Sequence, residues 1–321
     1  MTGGMFSLLP DGGFNLRTAN EYFGGWSDAA DGPDFAVPMA FPVEGWTTSA
    51  AVLIRQSADG TVSGDVHGAQ GQEDAAWKQA LAVLSLDVDG TGFADVGRRD
   101  AVIGDLQKRY AGLRPVLFNS PYESAAAFVI GHRISIAQGR AMRIRLAAQH
   151  GQPIDTSRGT LHAFPSPEAL LRIEAFPGIP AAKWPRLHGV ARAALDGLLD
   201  RTHLRQTLPD EALRQIRTIP GLGEFFSQGV LLRGAGLVDA VSDDVVSKQA
   251  VERAYRLDHT PTHDEVLRIA RQWEPFRMWA LVLLHIWLRR EAGLRSRHGS
   301  APSQKRDGSG LMRRPEASSP G

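Results

Sequence analysis

The sequence contains no cysteine. Disulfides, thiolate zinc sites and iron–sulfur clusters are therefore excluded together. Lysine is scarce too: of the 36 basic residues, five are lysines (Lys78, Lys108, Lys183, Lys248, Lys305). Arginine suits bidentate phosphate contacts, but biased codon usage gives the same excess, so the ratio alone decides nothing. No apolar run reaches membrane-spanning length; the longest, Met278 to Trp287, is interrupted by His285. The amino terminus lacks a basic stretch followed by an apolar core and a small-residue cleavage site, which predicts a cytoplasmic protein with no membrane partner. A formal net charge of +1 names no partner by itself.

What is present is a globular composition, 43% apolar and 22% charged over 321 residues, enough for two domains or three. Residues 1–100 read as a small antiparallel β-sheet with a helix on it. AVPMAFPVEGW, SAAVLIRQ and GTVSGDVHG are short strand-like runs between turns, and EDAAWKQALAVLSLDV carries helical spacing at Trp77, Leu81 and Leu84. Residues 101–295 read as helices, several opening on Ser, Asp or Thr with Glu soon after. Residues 296–321 are rich in Ser, Gly, Pro and Arg, as in a disordered basic tail. The fold class predicted is α+β, a sheet domain followed by an all-α core.

LSLDVDGTGF holds Asp87-x-Asp89-Gly-Thr, the nucleophile pattern of haloacid-dehalogenase-type phosphatases. That chemistry needs Asp87 at the end of a parallel strand. A helix-like segment precedes it and helices follow, so a turn is expected.

TIPGLGEFFSQGVLLRGAG, from Thr218 to Gly236, is of another kind. Pro220, Gly221 and Gly223 permit a tight hairpin between two helices, and the amides opening the second helix favour an anion such as phosphate. Carbonyls in such a turn also suit a monovalent cation. A plain helix–helix corner remains the alternative reading of Pro-Gly-x-Gly alone.

The hairpin is followed by LLRGAG (Leu231 to Gly236) and SDDVVSKQ (Ser242 to Gln249). This order resembles the helix-hairpin-helix DNA glycosylase superfamily and, within it, the bacterial 3-methyladenine DNA glycosylase II family. RQWEPFRMWALVLLHIW, with Trp273, Pro275, Arg277, Ala280 and Trp287, is similar to that family's final helix; SAAAFVIGHRISIAQGRAM is similar, less closely, to its first helical stretch. The resemblance spans about residues 110 to 292 and implies a helix-hairpin-helix glycosylase core.

The resemblance further implies a monofunctional N-glycosyl hydrolase that removes alkylated purines from double-stranded DNA, as a monomer on the bacterial nucleoid. It implies Asp244 as the catalytic carboxylate, with Asp243 or Ser242 capping the helix and Asp244 in its first turn. The alternative is that both aspartates are caps and Asp244 pairs with Lys248. Phe225, Trp287 and His132 are implied base-pocket residues, though Phe225 and Trp287 also read as core residues. Pro220, Gly221, Gly223, Arg133 and Arg233 are implied DNA contacts. Backbone carbonyls of Arg217, Ile219 and Gly221 would hold Na+ or K+; no other cofactor is expected. Phe225 stands where bifunctional members carry a lysine, so no lyase activity is expected. His132 and Arg133 depart from the family's glutamine and apolar wedge, Gly229 replaces a pocket aromatic, and Glu224 adds a negative charge beside the hairpin. These departures favour a rival reading, an inert helix-hairpin-helix DNA-binding protein.

Overall fold

The computed structural model describes residues 4–23 and 34–298. Strands β1 (Gly4–Leu8), β2 (Val37–Pro42), β3 (Ser49–Gln56) and β4 (Val62–Gly68) form one antiparallel sheet in the order β1-β4-β3-β2. Pro38 and Pro42 place β2 at an edge, where a missing N–H costs nothing. Strand β4 alternates buried and half-buried residues, while β3 is buried on both faces. Helices α1 (Leu16–Phe23) and α2 (Glu73–Val83) accompany this sheet; Leu16, Ala19 and Trp77 join its core. The other face of β3 meets a small hairpin, β5 (Pro153–Thr156) and β6 (Gly159–His162), through Ala51 and Ile154.

The remaining helices are α3 (Phe93–Arg99), α4 (Ala101–Arg109), α5 (Pro121–Gly131), α6 (Ile136–His150), α7 (Pro167–Leu171), α8 (Trp184–Leu195), α9 (Arg201–Gln206), α10 (Pro209–Arg217), α11 (Glu224–Gly229), α12 (Val245–Ala254), α13 (His263–Ala270) and α14 (Arg277–His298). The caps follow the chemistry of the sequence. Ser120 accepts the Glu123 amide ahead of Pro121, and Ser135 and Thr262 form capping boxes with Gln138 and Glu265. One apolar core joins α5, α8, α10 and the segment after α11; another joins α3 and α4 to α12, α13 and α14.

The apolar packing does not divide at residue 100, because Val96 of α3 shares a core with Trp273 and Trp279. Nor is SAAAFVIGHRISIAQGRAM one helix: α5 stops at Gly131, Arg133 takes φ +61°, and Ser135 caps α6. The Asp87–Thr91 stretch is a turn, with Asp89 accepting from the Thr91 amide and hydroxyl. Strand β1, helix α1 and the β5–β6 hairpin carry no strong sequence pattern and were not anticipated. Helix α14 continues to His298, past the expected start of the tail, and residues 299–321 of that tail lie outside the described residues.

Candidate active site

Helix α10 ends at Arg217, and the chain turns through Pro220 and Gly221. Ile219 and Leu222 are buried and pin the turn, and the Leu222 amide donates to the Ile219 carbonyl at 3.1 Å. Gly221 sits at φ +93°, where a side chain is strained, and a Cβ there would come within 2.8 Å of the Arg186 stem. Pro220, Gly221 and Gly223 are exposed, and α11 starts behind Gly223 with no side-chain cap. Its first amides therefore point outward unsatisfied, at the positive end of the helix. Glu224, the acid expected to disturb this spot, lies 3.6 Å from Arg217, which offsets part of its charge.

Arg186 is exposed on α8 over this turn, and Lys183 lies one turn before it. The Lys183 ammonium donates to the carbonyls of Ile130 and His132 at 2.7 and 2.9 Å, closing the end of α5. A basic line thus runs from the hairpin to the loop holding His132 and the exposed Arg133. Sequence reading missed Lys183 and Arg186. Their signal exists only after α8 has folded against the turn, since they lie some thirty residues upstream.

Segment 230–235 after α11 is a π-helical stretch, closed by Gly236 at φ +78°. Such stretches are rare and concentrate at functional sites. Arg233 lies on it, and here the expected DNA contact is not what the structure provides. Its guanidinium donates inward to the Val116 carbonyl at 2.6 Å, and burial pushes its pKa down to about 10.

The acid pair follows. Asp244 is itself the N-cap of α12, not a residue of the first turn. Its Oδ1 accepts the amides of Val246 and Ser247 at 2.8 and 2.9 Å. Its Oδ2 accepts the hydroxyls of Ser242 and Ser247, both at 2.6 Å. Burial raises the Asp244 pKa, but these bonds outweigh it and hold the carboxyl below its usual range. Lys248 pairs with Asp243 at 2.7 Å rather than with Asp244. The Asp243 amide donates to Gln228 at 2.9 Å, so α11 fixes the acid loop directly.

His285, on α14, brings its Nε2 to 3.0 Å from the Ser247 hydroxyl. Burial, followed by the nearby Arg289 and Arg233 against the pull of Asp244, lowers its pKa to about 4. It is neutral at pH 7. Trp287 is two residues on, half-buried, and packs against the core shared by α3, α4, α12, α13 and α14. The residue of α14 that reaches the acid's hydrogen-bond network is His285, through Ser247.

The two neighbouring phenylalanines of α11 sit in different surroundings. Phe225 is 57% exposed at the rim, while Phe226 behind it stacks on Phe128 with ring centroids 5.2 Å apart. His132 meets Phe226 edge-on at 5.7 Å, and Phe118 lies 5.9 Å from Phe128. Gly229 does not open a space, because a Cβ there would sit 2.4 Å from the Phe128 ring. Phe128 fills what the missing side chain leaves. Helix α11 carries both Phe226 and Gln228, so one rigid element links the ring cluster to the acid loop.

A small sheet, a helical body, an exposed glycine hairpin and an acid capping the second helix after it are together the helix-hairpin-helix DNA glycosylase fold. Comparisons agree. The 3-methyladenine DNA-glycosylase from Archaeoglobus fulgidus superposes with a TM-score of 0.72 at 18% identity, covering 88% of this chain and 98% of that one. The 8-oxoguanine glycosylase/lyase of Clostridium acetobutylicum, solved in complex with DNA, gives a TM-score of 0.64 at 14% identity over 87% and 93% of the two chains. In sequence, the chain is 28% identical over 196 residues to DNA-3-methyladenine glycosylase 2 of Escherichia coli (strain K12), which covers 59% of this chain and 64% of that relative. No family model matches the chain. The chain thus has the helix-hairpin-helix glycosylase fold and is similar in sequence, at low identity, to DNA-3-methyladenine glycosylases.

Proposed function

We propose that this protein is a monofunctional DNA glycosylase that releases alkylated purines from duplex DNA as a first step of base excision repair. The observation that carries this is Asp244, an ionised, half-buried carboxylate fixed by four hydrogen bonds and tied through Gln228 to the helix behind the hairpin.

In this reading the hairpin amides hold a phosphate, and Arg186 and Arg133 extend that grip along the strand. A flipped nucleotide enters beside the rings of Phe226, Phe128 and His132, with Phe225 at the rim. As the N-glycosidic bond breaks, its electron pair leaves with the base and neutralises the positive charge that alkylation placed there. Asp244 stabilises the cationic sugar left behind. Water then adds at C1′ and its proton goes to solvent.

A Na+ or K+ ion on the carbonyls of Arg217, Ile219 and Gly221 fits the same proposal. The Ile219 carbonyl accepts a single backbone amide, which leaves it a lone pair. Absence of lyase chemistry is supported by Phe225 at the lysine position and by Lys248 being paired with Asp243. Action as a monomer on the bacterial nucleoid belongs to the proposal as well.

A mass-spectrometric survey of bases freed from methylated duplex DNA tests it, with methylated purines expected in the soluble fraction. The rival, an inert duplex binder, draws on Phe128 occupying the space beside Gly229. It predicts salt-dependent DNA binding with no base released.

A further inference from the structure

The hydrogens around Asp244 can be counted. Ser242 and Ser247 each own one hydroxyl hydrogen, and each oxygen lies 2.6 Å from Asp244 Oδ2. A hydroxyl that close to an anion must donate to it. Both hydrogens are then committed, and none remains for the 2.8 Å contact between the two serine oxygens or for the 3.0 Å contact with His285. The hydrogen between Ser247 Oγ and His285 must therefore sit on His285 Nε2. This fixes the tautomer and leaves Nδ1 bare.

The same count applies to Asp244. A carboxylate has about four lone-pair sites. Two amides and two hydroxyls occupy them. We infer that Ser242, Ser247 and His285 are positioning residues that saturate Asp244 as an acceptor, so that it acts on the substrate as a fixed anion and takes no proton from water. The inference rests on the glycosylase reading for its meaning in catalysis, but its hydrogen count stands independently of that reading.

The charges facing this relay come from four elements. Arg233 on the π-helical segment and Arg289 on α14 lie near His285. Asp243, beside Asp244, is paired with Lys248 on α12 and lies 3.8 Å from His263 on α13. His285 donates from Nε2 in its neutral form, and Asp244 is already ionised well below neutral pH. Neither group changes state between pH 5 and 8.

Two measurements test the inference on the full chain. Nitrogen-15 histidine NMR, with His285 assigned by loss of its signals in His285→Gln, should show a neutral Nε2–H ring unchanged from pH 5 to 8. An Nδ1–H ring, or titration near the ordinary histidine value, overturns the relay. Single-turnover release of 7-methylguanine from methylated duplex should be flat over the same range in the wild type. Ser247→Ala should bring an acid limb into view, shifted up by about one to two pH units, for loss of one charge-assisted bond. Ser247→Thr, which keeps the hydroxyl, should restore the flat profile. A Ser247→Ala rate lowered equally at every pH contradicts the inference, and Ser242→Ala repeats the test if that variant does not fold. If the wild type frees no base, the glycosylase reading fails, while the NMR result still decides the relay.

Discussion

The starts of α11 and α12 are both helix N-termini, yet they treat their amides in opposite ways. Glycine precedes α11, no side chain caps it, and its turn is open to solvent. Asp244 precedes α12 and takes two of its amides, with two serine hydroxyls added. The first end leaves its positive pole for an anion from outside; the second supplies its own anion and locks it. A third start, that of α5, shows what the locking does. Glu123 lies in its first turn, buried, with Asn119 bonded to one oxygen and no hydrogen-bond partner on Oε1. Burial pushes its pKa up to about 7, whereas Asp244, with four donors, is held down. Deeper burial and fewer donors together separate Glu123 from Asp244.

Glu123 gives the largest expected effect. Its folded pKa lies above the ordinary 4.5, so the native state holds a proton that the unfolded chain has lost between pH 4.5 and about 7. Stability carried by this group is full below that window and falls as pH rises through it. Glu123→Gln should remove the loss. Urea unfolding at pH 5 and pH 8 should show the variant gaining on the order of 3 kcal/mol relative to wild type across that interval. A constant difference would mean that Glu123 is ionised in the native state throughout.

Gly221→Ala comes next, because it forces a side chain to φ +93° against Arg186. A cost of about 1–2 kcal/mol in unfolding free energy is expected. Gly223→Asp sharpens the comparison itself, since it gives α11 the kind of cap that α12 already has. Thermal stability should hold within a few tenths of a kcal/mol, while duplex affinity falls by about tenfold or more as the new carboxylate takes the phosphate's place. Unchanged affinity would show that the hairpin amides bind nothing. Arg186→Gln should have the smallest effect, lowering the slope of log affinity against log salt by about 1.

These contrasts also explain what the sequence made legible. The hairpin could be read because its properties lie in local backbone, set by Pro220, Gly221 and Gly223. The helical body and the two-residue alternation of β4 were legible for the same reason. Asp244 could be singled out, but not its role as the cap itself, because Ser242, Asp243 and Asp244 offer three capping side chains in a row. What surrounds it comes from far along the chain: Ser247 meets His285 across 38 residues. The resemblance pointed to Trp287 on α14, while His285, two residues earlier, is the residue that meets Ser247. The stack of Phe226 on Phe128, and Phe128 in the space beside Gly229, are likewise products of how α5 meets α11. Propensity and spacing do not encode that meeting.

The central claim is that Asp244 works through its charge and not through its place in the fold. Asp244→Asn keeps a side chain able to cap α12 but removes the charge. The decisive measurement is the single-turnover release of methylated purines from alkylated duplex by this variant beside the wild type. Release should drop by about 100-fold or more with DNA binding retained; release at the wild-type rate would contradict the account.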